Sequence, residues 1–95
     1  MDLTGKQLRF LRSKTHGLEA RIAAGKKGLT DDLVQQLDDA LGKSELVKIR
    51  LPRHAEIDLA ALAGRVSGAV VQQVGKTVVL YRPFAEPALK LPQGE

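Results

Sequence analysis

The residues with the clearest capacity for chemistry form a short loop, Gly25-Lys26-Lys27-Gly28. Glycine has no Cβ, so the backbone of such a loop can come close to a sugar-phosphate chain. The two lysines add positive charge, and a helix that begins after the loop would offer backbone N–H groups to an anion. The loop is therefore a candidate phosphate-binding element. A glycine-rich turn whose lysines are only solvated is the alternative.

A second set of cations precedes this loop, on one side of a predicted helix. Thr4 and Gln7 have the spacing of a capping box, which predicts a helix over residues 5–15 that Gly17 ends. The helical period places an apolar group on the side that faces the core: Phe10, Leu11, Thr15 and Leu18. The other side carries cations and a histidine: Lys6, Arg9, Arg12 and His16. His16 either contacts phosphate or only completes this polar side.

Charge is distributed unevenly along the 95 residues. The formal net charge of +4 is made up of +5 in residues 1–28, −4 in residues 29–47, +4 in residues 48–82 and −1 in residues 83–95. An acidic block between two basic ones suggests that positive charge collects on one face, as binders of polyanions require. A solvated surface of mixed charge is the other interpretation.

Aromatic residues are scarce, with two phenylalanines, one tyrosine and no tryptophan. A platform on which successive bases stack needs several exposed rings, so this composition favours contacts with the nucleic-acid backbone. Phe10 could stack on a base, but its place among leucines favours core packing. Tyr81 is expected in the core or on the sheet.

The elements that must position the loop are a strand before it and a helix after it. The strand is predicted over residues 19–24. Thr30 is a good N-cap for the helix, and Gly42 is expected to end it. Its apolar side repeats at helical spacing: Leu33, Leu37 and Leu41.

The second half of the chain predicts one more helix and three more strands. Period-two alternation indicates a strand over residues 46–51, and an alanine-rich helix follows from about residue 55 to 67, closed by Gly68. Two β-branched runs, residues 69–74 and 77–82, are separated by two turn residues and predict a hairpin.

These elements predict an α+β domain over residues 1–82 in the order αβαβαββ, with helices packed on a four-stranded sheet. Two strands joined by a helix should run parallel, and a hairpin is antiparallel, so the sheet is expected to be mixed. Residues 83–95 contain three of the four prolines and are expected to form an extended or loose tail.

Several classes of function are disfavoured. The chain has no cysteine, which excludes disulfides, thiolate nucleophiles and cysteine-based zinc sites. His16 and His54 lie far apart in sequence, and no nucleotide-binding or nucleophile motif is present. We therefore predict no enzymatic activity, no cofactor and no metal. The longest hydrophobic run is five residues and the start lacks the apolar region of a signal peptide, so we expect a cytoplasmic protein with no membrane partner.

Four segments, in this order and spacing, resemble the YhbY-type CRM-domain family, the chloroplast RNA splicing and ribosome maturation domains. They are Leu3-Thr4-Gly5-Lys6-Gln7 with Arg9-Phe10-Leu11-Arg12, Gly25-Lys26-Lys27-Gly28-Leu29-Thr30, Glu45-Leu46-Val47-Lys48-Ile49, and Val74-Gly75-Lys76 with Val79-Leu80-Tyr81-Arg82. The resemblance covers about residues 3–82. It implies the fold of the C-terminal domain of bacterial initiation factor three, preceded by an extra helix.

The resemblance also implies RNA binding through the Gly-Lys-x-Gly loop and nearby basic residues. Position by position, Gly25, Lys26 and Gly28 match the clamp, and this chain adds Lys27. The adjacent phosphates would be held by the basic side of the first helix, Lys6, Arg9, Arg12 and His16. Lys48 and Arg50 are weaker candidates on a strand face.

Single-domain prokaryotic members of this family associate with precursors of the large ribosomal subunit, whereas plant organellar members use several copies in intron splicing. We therefore expect a non-catalytic, monomeric RNA-binding protein that assists assembly of the large subunit by binding rRNA. The alternative is a protein-interaction module that docks on a ribosomal or other acidic protein through the same cations. The salt dependence of binding distinguishes the two.

Overall fold

The computed structural model describes residues 1–53 and 57–93. Within them the elements are α1 (Gly5–Ser13), β1 (Ala20–Ala23), α2 (Asp31–Lys43), β2 (Leu46–Arg50), α3 (Leu59–Arg65), β3 (Ala69–Val74) and β4 (Thr77–Tyr81). The predicted order αβαβαββ and the α+β class are confirmed.

The four strands form one mixed sheet in the order β1-β2-β4-β3. β1 runs parallel to β2, as a connection through α2 requires, while β4 pairs antiparallel with β2 on one side and β3 on the other. The predicted hairpin closes at Gly75-Lys76, where Gly75 has a φ of +58° that favours glycine. β1 and β3 are therefore the two edges of the sheet.

Apolar clusters cover both faces of this sheet, and alternation along β2 explains them. Val47 and Ile49 point to one face, where α2 and α3 complete the larger cluster. Leu46 points to the other face, as Lys48 and Arg50 must, since they are two and four residues further along. The cluster on that second face contains one α1 residue and three from the hairpin strands: Leu11, Val71, Val79 and Tyr81.

The helix α1 is shorter than predicted. It ends at Ser13 rather than at residue 15, and Lys14 caps it. Gly17 has the left-handed φ of +79°, but it lies in the turn after the helix. His16 lies in that turn too, so its predicted place on the helix is wrong. The capping box of Thr4 is present as predicted.

The predicted end of α2 at Gly42 is wrong, because the helix continues to Lys43. Ser44 ends it with extended backbone, at a φ of −147° and a ψ of 135°, which leads directly into β2. A connection this short needs no left-handed residue, so Gly42 has no capping role.

The helix α3 begins at Leu59, after the N-cap Asp58, whose side chain accepts a hydrogen bond from the Ala61 N–H at 3.1 Å. The predicted start near residue 55 falls on residues 54–56, which lie outside the described residues. The prediction of a helix that includes Asp58 is wrong, since Asp58 has extended backbone.

The end of α3 is a left-handed cap on a residue that is not glycine. Ser67 has a φ of +54°, and the Gly68 N–H donates to the Ala63 carbonyl oxygen at 2.9 Å, as in a Schellman motif. Gly68 serves another purpose, since a Cβ there would lie 2.9 Å from the carbonyl oxygen of Tyr81. The prediction that Gly68 is the left-handed residue that ends α3 is therefore wrong. Ser67 has that conformation, and a glycine is needed at position 68 because the chain there lies against the backbone of Tyr81.

Residues 83–93 contain neither helix nor strand, yet they pack against the sheet. Glu45 is only 4% exposed, and its two carboxylate oxygens accept hydrogen bonds from the Phe84 and Leu89 N–H groups, each at 2.7 Å. Leu89 and Leu91 join the cluster on the α1 side of the sheet. Glu45 thus attaches the tail to the domain.

Candidate nucleic-acid interface

The Gly25-Lys26-Lys27-Gly28 segment is a tight turn between β1 and α2. The Gly28 N–H donates to the Gly25 carbonyl oxygen at 2.9 Å, and Gly28 is buried with a φ of +73°, a conformation that favours glycine. Lys26 and Lys27 occupy the two central positions and are exposed. Neither ammonium group has an ion pair among the described residues. We call this segment the GKKG turn.

Both ends of the GKKG turn are attached to the domain. Before it, the Ala24 N–H donates to the Arg50 carbonyl oxygen at 2.8 Å, which extends the pairing of β1 with β2. After it, Leu29 packs against the larger apolar cluster. The lysines are therefore displayed on a positioned turn.

The N-terminus of α2 contributes less to anion binding than its place after the turn suggests. The Thr30 hydroxyl already accepts from the Leu33 N–H at 3.1 Å, so one of the end amides is occupied. Asp31 and Asp32 lie in the first turn of α2, where their negative charges interact with the positive end of the helix dipole and would repel another anion. Arg65 binds the Asp31 carboxylate at 2.8 Å, which offsets part of this negative charge. The lysines are the main source of positive potential at the turn.

The sheet brings two further cations to the end where the GKKG turn lies. Arg50 is the last residue of β2 and is exposed, and it pairs across the sheet with Ala23 of β1 and Thr77 of β4. Lys76 is exposed in the hairpin turn, and its carbonyl oxygen accepts from the Leu51 N–H at 2.7 Å. We call these four residues the loop-end cluster: Lys26, Lys27, Arg50 and Lys76.

Lys76 is absent from the site predicted from sequence, where it counts only as a turn residue. The signal that could have found it is topological. A strand antiparallel to β2 must begin where β2 ends, so the turn before β4 lies beside Arg50. Knowledge of the strand order was needed to use that signal.

The cations of α1 lie over the opposite part of the sheet. Lys6 and Arg9 are exposed and have no ion pair within the described chain. Arg12 is also exposed, but its Nε donates to the Val71 carbonyl oxygen on the edge strand β3 at 2.9 Å. Val71 is the extra residue of a bulge in β3. Arg12 is therefore anchored at the edge opposite the GKKG turn, three strand spacings away, which is about 14 Å in the direction perpendicular to the strands.

Lys48 and Arg50 connect these two regions. Lys48 is half-buried and Arg50 exposed, both on the face of the sheet that carries α1. We call these two residues, Arg12 and the loop-end cluster together the basic surface. His16, exposed in the turn after α1, is not tied to this surface by any hydrogen bond among the described residues.

Phe10 and Tyr81 pack as predicted. Phe10 packs against the cluster on the α1 side, with the Lys14 Nζ 5.3 Å from its ring centroid. Tyr81 is 2% exposed, and burial together with the nearby Glu45 carboxylate raises the pKa of its hydroxyl. Neither ring is available as a broad stacking surface.

The acidic block of the sequence lies mainly on α2, on the other face of the sheet, and two of its carboxylates are paired. Arg82 binds Asp38 at 2.6 Å and Arg65 binds Asp31 at 2.8 Å. A third ion pair within the described residues joins Arg21 of β1 to Glu19 at 3.5 Å. Arg65 and Arg82 are thus paired with α2, whereas the cations of α1 and of the GKKG turn form no ion pair with a described residue.

Within the described residues, no group of three or more histidine, aspartate or glutamate side chains could hold a metal ion. No helix in the same part of the chain is long and apolar enough to cross a membrane.

The family follows from a match over most of the chain. A model of the CRS1 / YhbY (CRM) domain matches residues 3–82. The chain belongs to this family. The matched region contains the three helices and four strands of the described chain together with the GKKG turn, and residues 83–95 follow it.

Several known proteins are similar to this chain over nearly their whole length. The probable RNA-binding protein YqeI of Bacillus subtilis is 40% identical over 88 residues, which cover 88% of this chain and 92% of that protein. An RNA-binding protein of Haemophilus influenzae is 30% identical, covering 96% of both chains. The solution structure of the hypothetical protein SAV1595 from Staphylococcus aureus superposes with a TM-score of 0.75 at 33% identity, covering 96% of this chain and all of that one.

Proposed function

We propose that this CRM-domain protein binds RNA through its phosphates, using the GKKG turn, the cations of α1 and the strand residues Lys48 and Arg50. The observation that carries the proposal is the turn itself, which holds two exposed lysines between glycines at one edge of the sheet, neither of them in an ion pair with a described residue. The names of the relatives from Bacillus subtilis and Haemophilus influenzae support RNA as the partner.

Binding of this kind is electrostatic and acts without catalysis. Each phosphate that a lysine or arginine neutralises releases counterions, so affinity falls with salt by a log–log slope of about −0.7 per phosphate on single strands. Such contacts position RNA without reading its sequence. The protein would act as a monomeric, cytoplasmic clamp on the RNA backbone.

We further propose that the RNA is rRNA in precursors of the large ribosomal subunit. The resemblance to single-domain prokaryotic CRM proteins supports this choice. The test is sedimentation of cell lysate through a sucrose gradient, with the wild type compared with Lys26→Ala/Lys27→Ala. Co-migration of the wild type with large-subunit precursors, lost in the variant, is the expected result.

A matched control removes two exposed lysines away from the turn, Lys43→Ala/Lys90→Ala, and should still co-migrate. Wild type at the top of the gradient at low salt would contradict the ribosomal proposal. Association that survives nuclease treatment and depends weakly on salt would point instead to an acidic protein partner.

A further inference from the structure

The face of the sheet that carries α1 is covered at one end only. Three cross-strand rows of side chains lie on it, and α1 and the tail cover the first, which contains Leu46 and Tyr81. Lys48 and Val79 lie in the second row. The third row crosses all four strands, and no helix or strand among the described residues covers it. We call it the open row: Ala23, Arg50, Thr77 and Val74.

Val74 gives the open row an apolar end. It is 61% exposed, and within the described residues only it and Met1 are large hydrophobic side chains exposed to this extent. A single exposed valine is ordinary. The surroundings of Val74 are unusual, because Arg50 lies two strands away in the same row and Lys76 follows in the adjoining turn.

The cations on both sides of the open row are available to an anionic partner. Arg50, Lys26, Lys27 and Lys76 form no ion pair with any described residue. On the β3 side, Arg12 is held against the strand by its bond to Val71. A nucleic-acid strand held by the GKKG turn at the β1 edge and by Lys76 in the turn between β3 and β4 would run along the open row, with its bases close to Val74 and Arg50.

We propose that the open row is a seat for a nucleobase, in which the Val74 methyl groups and the Thr77 side chain pack against one base and the Arg50 guanidinium stacks beside it. Guanidinium planes and aliphatic groups are both used to hold unstacked RNA bases. This inference rests on the proposed RNA binding and adds to it a contact that phosphate binding alone does not require.

The direct test is an NMR titration of protein with carbon-13-labelled methyl groups. The probes are a short single-stranded oligoadenylate and a ribose-phosphate chain of the same length without bases. The ring current of a seated adenine should move the Val74 methyl signals with the first probe and not with the second. Met1, 58% exposed beside Ala60 and Ala63, is the internal control and should not move.

A conservative variant, Val74→Thr, keeps the branched side chain and the strand. It should weaken oligoadenylate binding about threefold, the order expected for exchanging one packed methyl for a hydroxyl. Affinity for the base-free chain and the salt slope should stay at the wild-type values. In contrast, Lys26→Ala/Lys27→Ala should weaken both probes and reduce the slope.

The possible failures are distinguishable. If both probes bind but the Val74 methyl signals do not respond to adenine, and Val74→Thr binds like the wild type, the base seat is wrong while RNA binding stands. If the wild type binds neither probe at low salt, the proposed function fails and the base seat fails with it.

Discussion

The two faces of the sheet use the same kinds of residue for different purposes. On the α2–α3 face, the apolar side chains are covered by two helices, and the arginines at its margin are paired, as in Arg82 with Asp38. On the α1 face, one helix and a tail cover part of the sheet, and the cations beyond them are largely unpaired. The α2–α3 face therefore stabilises the domain, whereas the α1 face leaves cationic side chains exposed to solvent.

This separation explains how a chain of only 95 residues can present a basic surface. Unpaired cations repel one another and contribute little to stability, so a small domain needs a separate, well-packed cluster. We therefore expect substitutions on the α2–α3 face to change stability, and substitutions among the exposed α1-face cations to change binding.

The largest effect is expected for Leu37→Ala on the α2–α3 face. Leu37 is fully buried in the larger cluster, and truncation of such a leucine costs about 3 kcal/mol of unfolding free energy. Chemical denaturation measures the loss. The RNA affinity of the protein that remains folded should be unchanged. A decrease in unfolding free energy of less than about 1 kcal/mol would contradict the assignment of this cluster as the main source of stability.

The next effect concerns the tail that covers part of the α1 face. Glu45→Ala removes the acceptor of both tail N–H groups, so it should release the tail locally while the rest of the domain stays folded. Hydrogen exchange at Phe84 and Leu89 should accelerate strongly. Protection unchanged at both amides would show that the tail is held by its leucines instead.

The ultraviolet absorbance of Tyr81 can be used to monitor the same region, because Tyr81 is the only tyrosine and the chain has no tryptophan. Burial and the Glu45 charge raise its pKa above the ordinary value of 10.0, so the folded state favours the neutral hydroxyl. Its contribution to stability is complete below pH 10.0 and is lost as pH rises through the raised pKa. Tyrosinate absorbance should show a lower pKa in Glu45→Ala than in the wild type.

Two arginines of α1, Arg12 and Arg9, should differ in how much they contribute to stability. Arg12→Ala should cost about 1 kcal/mol of stability, because Arg12 donates to Val71, and should also weaken RNA binding. Arg9→Ala, on an exposed position without a partner in the described chain, should change stability by less than about 0.5 kcal/mol. Equal stability losses in the two variants would contradict the anchoring role of Arg12.

The smallest effect is expected at the end of α3. Ser67 has left-handed backbone, so Ser67→Gly should raise stability by about 0.5 to 1 kcal/mol. Gly68→Ala is the contrasting variant and should destabilise, since its Cβ would meet the Tyr81 carbonyl oxygen. Thermal unfolding of the two variants should therefore shift in opposite directions.

The helices and strands were predictable where a local signal determined them. The capping box of Thr4, the leucine repeat of α2 and the two-residue hairpin turn all act over a few residues. The left-handed cap at Ser67 and the end of α2 were missed, because chain connections rather than residue type decide them.

The site was predictable only in part. The lysines of the GKKG turn stand out by residue type, but the place of Lys76 depends on strand order. The second role of Arg12 depends on a bulge at Val71, and the attachment of the tail depends on a carboxylate distant in sequence, Glu45. Contacts between distant segments leave no local pattern for the sequence to show.

The most direct test of the account is the salt dependence of single-stranded RNA binding by purified protein. We expect Lys26→Ala/Lys27→Ala to reduce the log–log slope by about 1.4, or two phosphates, and to weaken binding at low salt. The matched variant Lys43→Ala/Lys90→Ala should leave the slope close to wild type despite the same change in net charge. Equal slopes in all three proteins would contradict the claim that the GKKG turn holds the RNA backbone.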